Sequence, residues 1–150
     1  MKILIPEEVN FEISTTDLLV KYTERNKTEI LLDVLSFKNY LKNDSYNTIK
    51  IEFEIVAEIN CISLNFFEKY DENEFEIFKI NEGLTDLEFW KENNYHPDSG
   101  FYQVDNSKKL EKNNKIYDPL NRLKLKHFLI VGADSYIEII ASKYNILKIE

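Results

Sequence analysis

The sequence predicts a mainly β domain, either an antiparallel β-sandwich or a strongly curved sheet, with one or two short helices. Three observations carry that reading. First, residues 127–141 form a hairpin signal. His127-Phe128-Leu129-Ile130-Val131 and Tyr136-Ile137-Glu138-Ile139-Ile140-Ala141 flank the turn cluster Gly132-Ala133-Asp134-Ser135. Second, residues 49–59 carry the cleanest alternation in the chain. Ile49, Ile51, Phe53, Ile55, Ala57 and Ile59 are apolar, while Lys50, Glu52, Glu54 and Glu58 are polar. A strand points successive side chains to opposite faces, so one face is core and the other is acidic and wet. Third, about eight to ten short apolar runs are separated by polar turns, the layout of packed or curled antiparallel sheets.

Taken in order, Val9, Phe11 and Ile13 alternate with Asn10 and Glu12, which is strand periodicity. Asp17–Tyr22 reads as a short strand and Thr23–Lys27 as a polar turn. Residues 28–41 admit two readings. Ile30, Val34, Phe37 and Leu41 share a helical stripe. The runs Ile30–Leu32 and Val34–Leu35 read as a buried strand, which the β-branched residues and the flanking strands favour. Lys42–Asn47 is a turn. After the 49–59 strand the phase flips. Ile62, Leu64 and Phe66 are apolar there and Ser63 and Asn65 polar. A bulge near Asn60–Ile62 reconciles the halves, with Cys61 as a small core side chain. Residues 71–74 turn the chain, Phe75–Ile80 is a strand, and Asn81–Gly83 ends it. Thr85 and Glu88 have capping-box spacing and open a helix to about Asn93 that carries Leu87 and Trp90. Pro97 and Gly100 bracket a turn before the strand Phe101–Val104. Ser107 begins a short polar helix or loop, which Asp118-Pro119 interrupts. Leu123–Val131 enters the hairpin, and Ile146–Ile149 reads as a last strand.

At 150 residues the chain has the size of a single domain with a real core. Ten Phe and nine Tyr supply core material, so disorder is excluded on composition. Three Gly leave no supply for glycine-rich phosphate loops. Ile, Asn and Lys make up roughly a third of the residues, well above ordinary usage. AT-rich codons give that bias, which points to a bacterial genome. One cysteine forms no internal disulfide. Met1–Pro6 is too short for the apolar region of a signal peptide. No apolar run nears the ~20 residues of a membrane helix. The expected setting is cytoplasmic, with no membrane partner.

Net charge is −8, which argues against nucleic acid as a partner. The charge is unevenly placed. Glu52–Glu92 holds twelve acidic and three basic residues, net −9. Ser107–His127 holds seven basic and two acidic residues, net +5. Solvated faces explain such poles, and so does docking of a partner of opposite sign.

No motif carries catalysis. His96 and His127 stand outside every zinc spacing, and Cys61 adds no ligand pair, so neither metal nor cofactor is expected. His96, Asp98 and Ser99 assemble a triad only on paper, since neighbours in one turn rarely reach that geometry. Glu52 and Glu54 are same-face neighbours, as acid/base pairs are and as any solvated strand face is. The turn at Asp134-Ser135 suits side-chain closure. Trp90, Tyr95 and Tyr102 are candidates for an aromatic patch, and Tyr136 and Glu138 share a face.

Gly100-Phe101-Tyr102-Gln103-Val104-Asp105-Asn106-Ser107 and Lys126–Ala141 together resemble a pattern in small bacterial proteins of the toxin-cognate immunity type. The resemblance spans the last third of the chain and carries turn and strand residues rather than catalytic ones. It implies a non-enzymatic protein-binding module that occludes a toxin, expected to be basic. The candidate contact residues are Glu52, Glu54, Glu58, Trp90, Tyr95, Tyr136 and Glu138. A β-sandwich binding a small molecule or carbohydrate through Trp90 and the tyrosines is the alternative, and a hydrolase with an unrecognised site is the third reading.

Overall fold

The computed structural model describes residues 1–14, 17–42, 46–63 and 74–149. Among these run nine strands and three helices. In order they are β1 (Lys2–Pro6), β2 (Glu12–Ile13), β3 (Leu19–Lys21), β4 (Thr28–Leu35), α1 (Phe37–Lys42), β5 (Asn47–Ile62), β6 (Phe75–Ile77), α2 (Asp86–Asn93), β7 (Phe101–Val104), α3 (Lys108–Tyr117), β8 (Lys126–Val131) and β9 (Tyr136–Lys148). All join one sheet in the order β2-β4-β5-β9-β8-β7-β1-β6, with β3 also on β4. Every pairing is antiparallel except β1 with β6.

The sheet curls strongly on itself, so of the two expected forms the curved sheet is the one found. Phe53 and Phe101 show how tightly. Their strands lie three places apart, about 14 Å if the sheet were flat at ~4.8 Å per strand. Their ring centroids are 6.1 Å apart. Inside the curl Ile30, Leu32, Ile51, Phe53, Phe101, Phe128, Ile130, Ile137 and Ile139 form the main core, and Val9 and Phe11 close it. Leu4, Phe75, Tyr102, Val104, Leu129 and Tyr136 form a second core. Phe101 and Tyr102, or Phe128 and Leu129, are neighbours in sequence and go to different cores, so the two cores lie on opposite faces. Residues 136–141 are therefore buried at every position.

β5 is the spine. It pairs with β4 from Asn47 to Phe53 and with β9 along almost its whole length. The alternation of residues 49–53 holds, with Ile49, Ile51 and Phe53 buried. The phase change comes earlier than Asn60–Ile62. Ile55 has φ 57° and is 51% exposed instead of buried, and the register to β9 shifts between Val56 and Glu58. Past Phe53 β5 also loses its β4 partner, so it becomes an edge there. Cys61 is consequently exposed, not a core side chain.

Residues 28–41 turn out to contain both structures, β4 to Leu35 and then α1 from Phe37. Lys2–Pro6, which the sequence reading left unassigned, is an inner strand between β7 and β6. Ile146–Leu147 continues β9 instead of forming a separate strand. The hairpin turn closes through a backbone bond from Gly132 N–H to the Ser135 carbonyl, 2.8 Å. Leu18 packs so tightly there that a Cβ on Gly132 would meet it at 2.8 Å. Thr85 caps α2 as expected: its Oγ1 accepts the Glu88 N–H, and Glu88 Oε1 reaches back to the Thr85 hydroxyl and not to its backbone N–H. Asn94, in the left-handed conformation, ends α2. The expectations for Leu64, Phe66 and the turns at 43–45 and 71–73 lie outside the described residues.

Two substitutions test the phase change. Phe53→Ala empties a fully buried site and should destabilise by about 3–5 kcal/mol. Ile55→Gly removes a half-exposed side chain from a backbone conformation that costs an L-residue about 1–2 kcal/mol. It should leave stability unchanged or raise it. Denaturant melts in which Ile55→Gly loses as much as Phe53→Ala would place Ile55 in the core.

Candidate functional site

The acidic face of β5 is largely neutralised by lysines. Glu54 lies 3.3 Å from Lys27 Nζ and 3.2 Å from Lys143 Nζ, which hold its carboxyl below the usual range. Glu52 is half-buried opposite Glu29, whose own partner is Lys50 at 3.3 Å. Glu58 pairs with Lys109 at 2.8 Å and accepts from Asn60 Nδ2 and Tyr117 OH.

Glu58 belongs to a larger network around a buried carboxylate. Glu138 is 6% exposed, on the face opposite the main core. Its Oε1 lies 3.4 Å from Lys2 Nζ and 3.6 Å from His127 Nε2, and its Oε2 lies 3.4 Å from Lys109 Nζ. Burial alone would push this carboxyl up. His127, Lys2 and Lys109 outweigh burial and hold it at about 2. Burial works against the charge on Lys109 too, and Glu58 and Glu138 overcome it. The network thus ties β1, β5, β8 and β9 to α3. Ser107 completes it: its Oγ lies 2.6 Å from His127 Nδ1 and accepts the Leu110 N–H as the cap of α3.

Ser107, His127 and Glu138 are the residue types of a nucleophilic relay, in an order the sequence reading did not see. Their environment argues for a structural tie. The hydroxyl is engaged by the helix cap, and His127 is 1% exposed. The triad on paper at residues 96–99 comes apart. His96 Nδ1 accepts the Asp98 N–H at 2.8 Å, Asp98 accepts from Tyr102 OH, and Ser99 Oγ bonds the Phe101 backbone. Among the described residues no group of three or more His, Cys, Asp or Glu is placed to hold a metal. No described helix is long and apolar enough to cross a membrane.

The aromatic candidates separate. Trp90 is 1% exposed; it contacts Phe37, Tyr40 and His96 and donates from Nε1 to Asn10 Oδ1 at 2.7 Å. It staples α2 to α1 and offers no face to a sugar or a partner. Tyr136 is buried against Phe75, and Tyr102 sits in the same second core. Tyr95 is half-buried with its ring edge-on to Phe89.

The carboxylates without lysine partners lie elsewhere. Glu76, Glu82, Asp86, Glu88 and Glu92 are exposed, and none pairs with a lysine or arginine among the described residues. Two of them, Glu82 and Asp86, line a cleft of about 650 Å³ together with Ile77, Phe78, Lys79, Asn81 and Asp98. Phe78 is 53% exposed there. The charge is felt nearby. Burial, then the charge of Asp86, raises the Asp98 carboxyl, and burial with Asp98 and Asp86 raises Glu12. Sequence charge counting found this acidic stretch; the strand expected over Phe75–Ile80 ends at Ile77, which leaves Phe78 beyond it and exposed. Comparison with protein-family models, with curated proteins and with solved structures finds no match to the chain.

The Glu138 network predicts an acid-labile fold. Its folded pKa of about 2 lies below the ordinary 4.5, so its stabilisation is complete above pH 4.5 and disappears as pH falls towards 2. The loss should be about 3 kcal/mol. In denaturant melts across pH, Glu138→Gln should lack that part of the acid dependence. Equal acid slopes for parent and variant would refute the network's role.

Proposed function

We propose that the protein is a non-enzymatic binding module of the immunity type, which blocks a basic toxin domain by covering it. The observation that carries this reading is exposed Phe78 beside a cleft lined by Glu82, Asp86 and Asp98, which form no ion pair with a lysine or arginine among the described residues, although Lys79 lines the cleft too. Interfaces are anchored by a few aromatic residues within a polar rim. Unneutralised carboxylates steer a cationic partner and raise its association rate. Residues 74–98 hold seven acidic and two basic residues, net −5. The lysine-paired Glu54 and Glu58 have less free charge to offer, and Trp90, Tyr136 and Glu138 are buried. In this reading the contact surface moves from β5 to the β6–α2 region. A cytoplasmic setting, where an immunity protein would meet its toxin, belongs to the same proposal.

The test starts from neighbouring reading frames in the native genome, each expressed alone and with this protein. One should arrest growth, and co-expression should restore it. Against that purified partner, Phe78→Ala should speed dissociation about tenfold or more, the effect of losing a hot spot. Glu76→Lys with Glu82→Lys should instead slow association, and less so at high salt. A toxic neighbour neutralised equally by all variants would move the interface elsewhere. No neutralised neighbour at all would sink the immunity reading.

A further inference from the structure

We propose that the chain self-associates through its two poles, α3 of one copy docking on the acidic cleft of another. The basic pole has the make-up of an interface left uncovered. No residue of α3 is buried. Ile116 is 78% and Leu120 68% exposed, the two most exposed large apolar side chains among the described residues. Lys112 stands one helical turn before Ile116 and on the same side of α3. Lys115, Arg122 and Lys124 lie close in sequence. All four cations are exposed, and none is ion-paired among the described residues. Lys109, by contrast, is spent inside on Glu58 and Glu138 and fixes which side of α3 faces out.

The complement to this surface is present in the same chain. Residues 107–127 carry net +5 and residues 74–98 carry net −5. Each pole also presents large apolar side chains, Ile116 and Leu120 on one and Phe78 and Leu87 on the other. Apolar centre against apolar centre, with opposite charges at the rim, is the composition of a specific interface. Charge complementarity therefore selects a second copy as the occupant. The two surfaces differ, so the contact is heterologous, and it closes into a ring or extends into a chain. The whole-chain charge of −8 opposes close approach and keeps the contact weak and concentration-dependent. Association would cover the acidic cleft, and a basic partner would have to displace it. This goes beyond the partner reading and stands without it, because its test needs no partner.

The test is sedimentation velocity over a range of protein concentrations, with folding checked by circular dichroism. The parent's weight-average mass should rise to at least twice that of one chain. Lys112→Glu with Lys115→Glu, and separately Glu82→Lys with Glu92→Lys, should each stay at one chain, since the first cuts the basic pole from +5 to +1 and the second the acidic pole from −5 to −1. Mixed in equal amounts, the two variants should associate again. A parent that stays a single chain at every concentration overturns the proposal, as does association that both variants retain or a mixture that fails to restore it. Vesicles of anionic lipid provide the remaining arm. A parent that binds them through Ile116 and Leu120 without associating would make a membrane surface the occupant and also overturn it.

Discussion

One buried carboxylate constrains this molecule more than any other group. Glu138 lies in a strand stretch that is buried on both faces, so it has no water to hold its charge. A buried unpaired charge costs several kcal/mol, and cations must come to it. Lys2 arrives from the first strand and Lys109 from α3, and the imidazole of His127 on the neighbouring strand lies 3.6 Å away. Each comes from a different part of the chain. The same carboxylate therefore holds β1 against the hairpin and seats α3 across β5, β8 and β9. Hydrophobic burial drives the curl, but it does not specify where a helix without buried residues should sit. The ionic network does.

The outer surface follows from that seating. With Lys109 turned inward, the other lysines of α3 face solvent and make the basic pole. Lys27, Lys143 and Lys109 neutralise the acidic face of β5. Around α2 the exposed carboxylates have no such partners among the described residues, and the acidic pole remains. Charge is thus sorted into a compensated middle and two uncompensated regions, each with exposed apolar side chains. Both binding proposals draw on this one arrangement.

Much of the fold was legible because it depends on local periodicity. The alternation at residues 49–53, the hairpin around Gly132, the Thr85–Glu88 capping box and strand β7 all carry their signals in adjacent residues. The misses involve long-range pairing. Lys2–Pro6 is short, and only its neighbours β7 and β6 make it an inner strand. Ile55 continued the odd-numbered apolar pattern, and the one local mark of the bend was Val56, an apolar residue at an even position beside the register shift. The site was less legible still. Glu138 was expected among the contact residues, sharing a face with Tyr136, yet it sits buried inside the apolar run Tyr136–Ala141. A lone carboxylate within such a run is the sign of a buried ion pair, and it could have been read that way. Which lysine would reach it, and that Trp90 would turn inward to Asn10, depended on contacts across the whole chain.

The most direct measurement is the titration of the Glu138 side-chain carboxyl itself, followed by carbon-13 NMR. Its midpoint should lie near 2, or the group should stay ionised until the fold is lost. An ordinary glutamate titrates near 4.3. A Glu138 midpoint at or above that value would mean that Lys2, His127 and Lys109 do not converge on it. The seating of α3, and with it the separation of the two poles, would then need another cause.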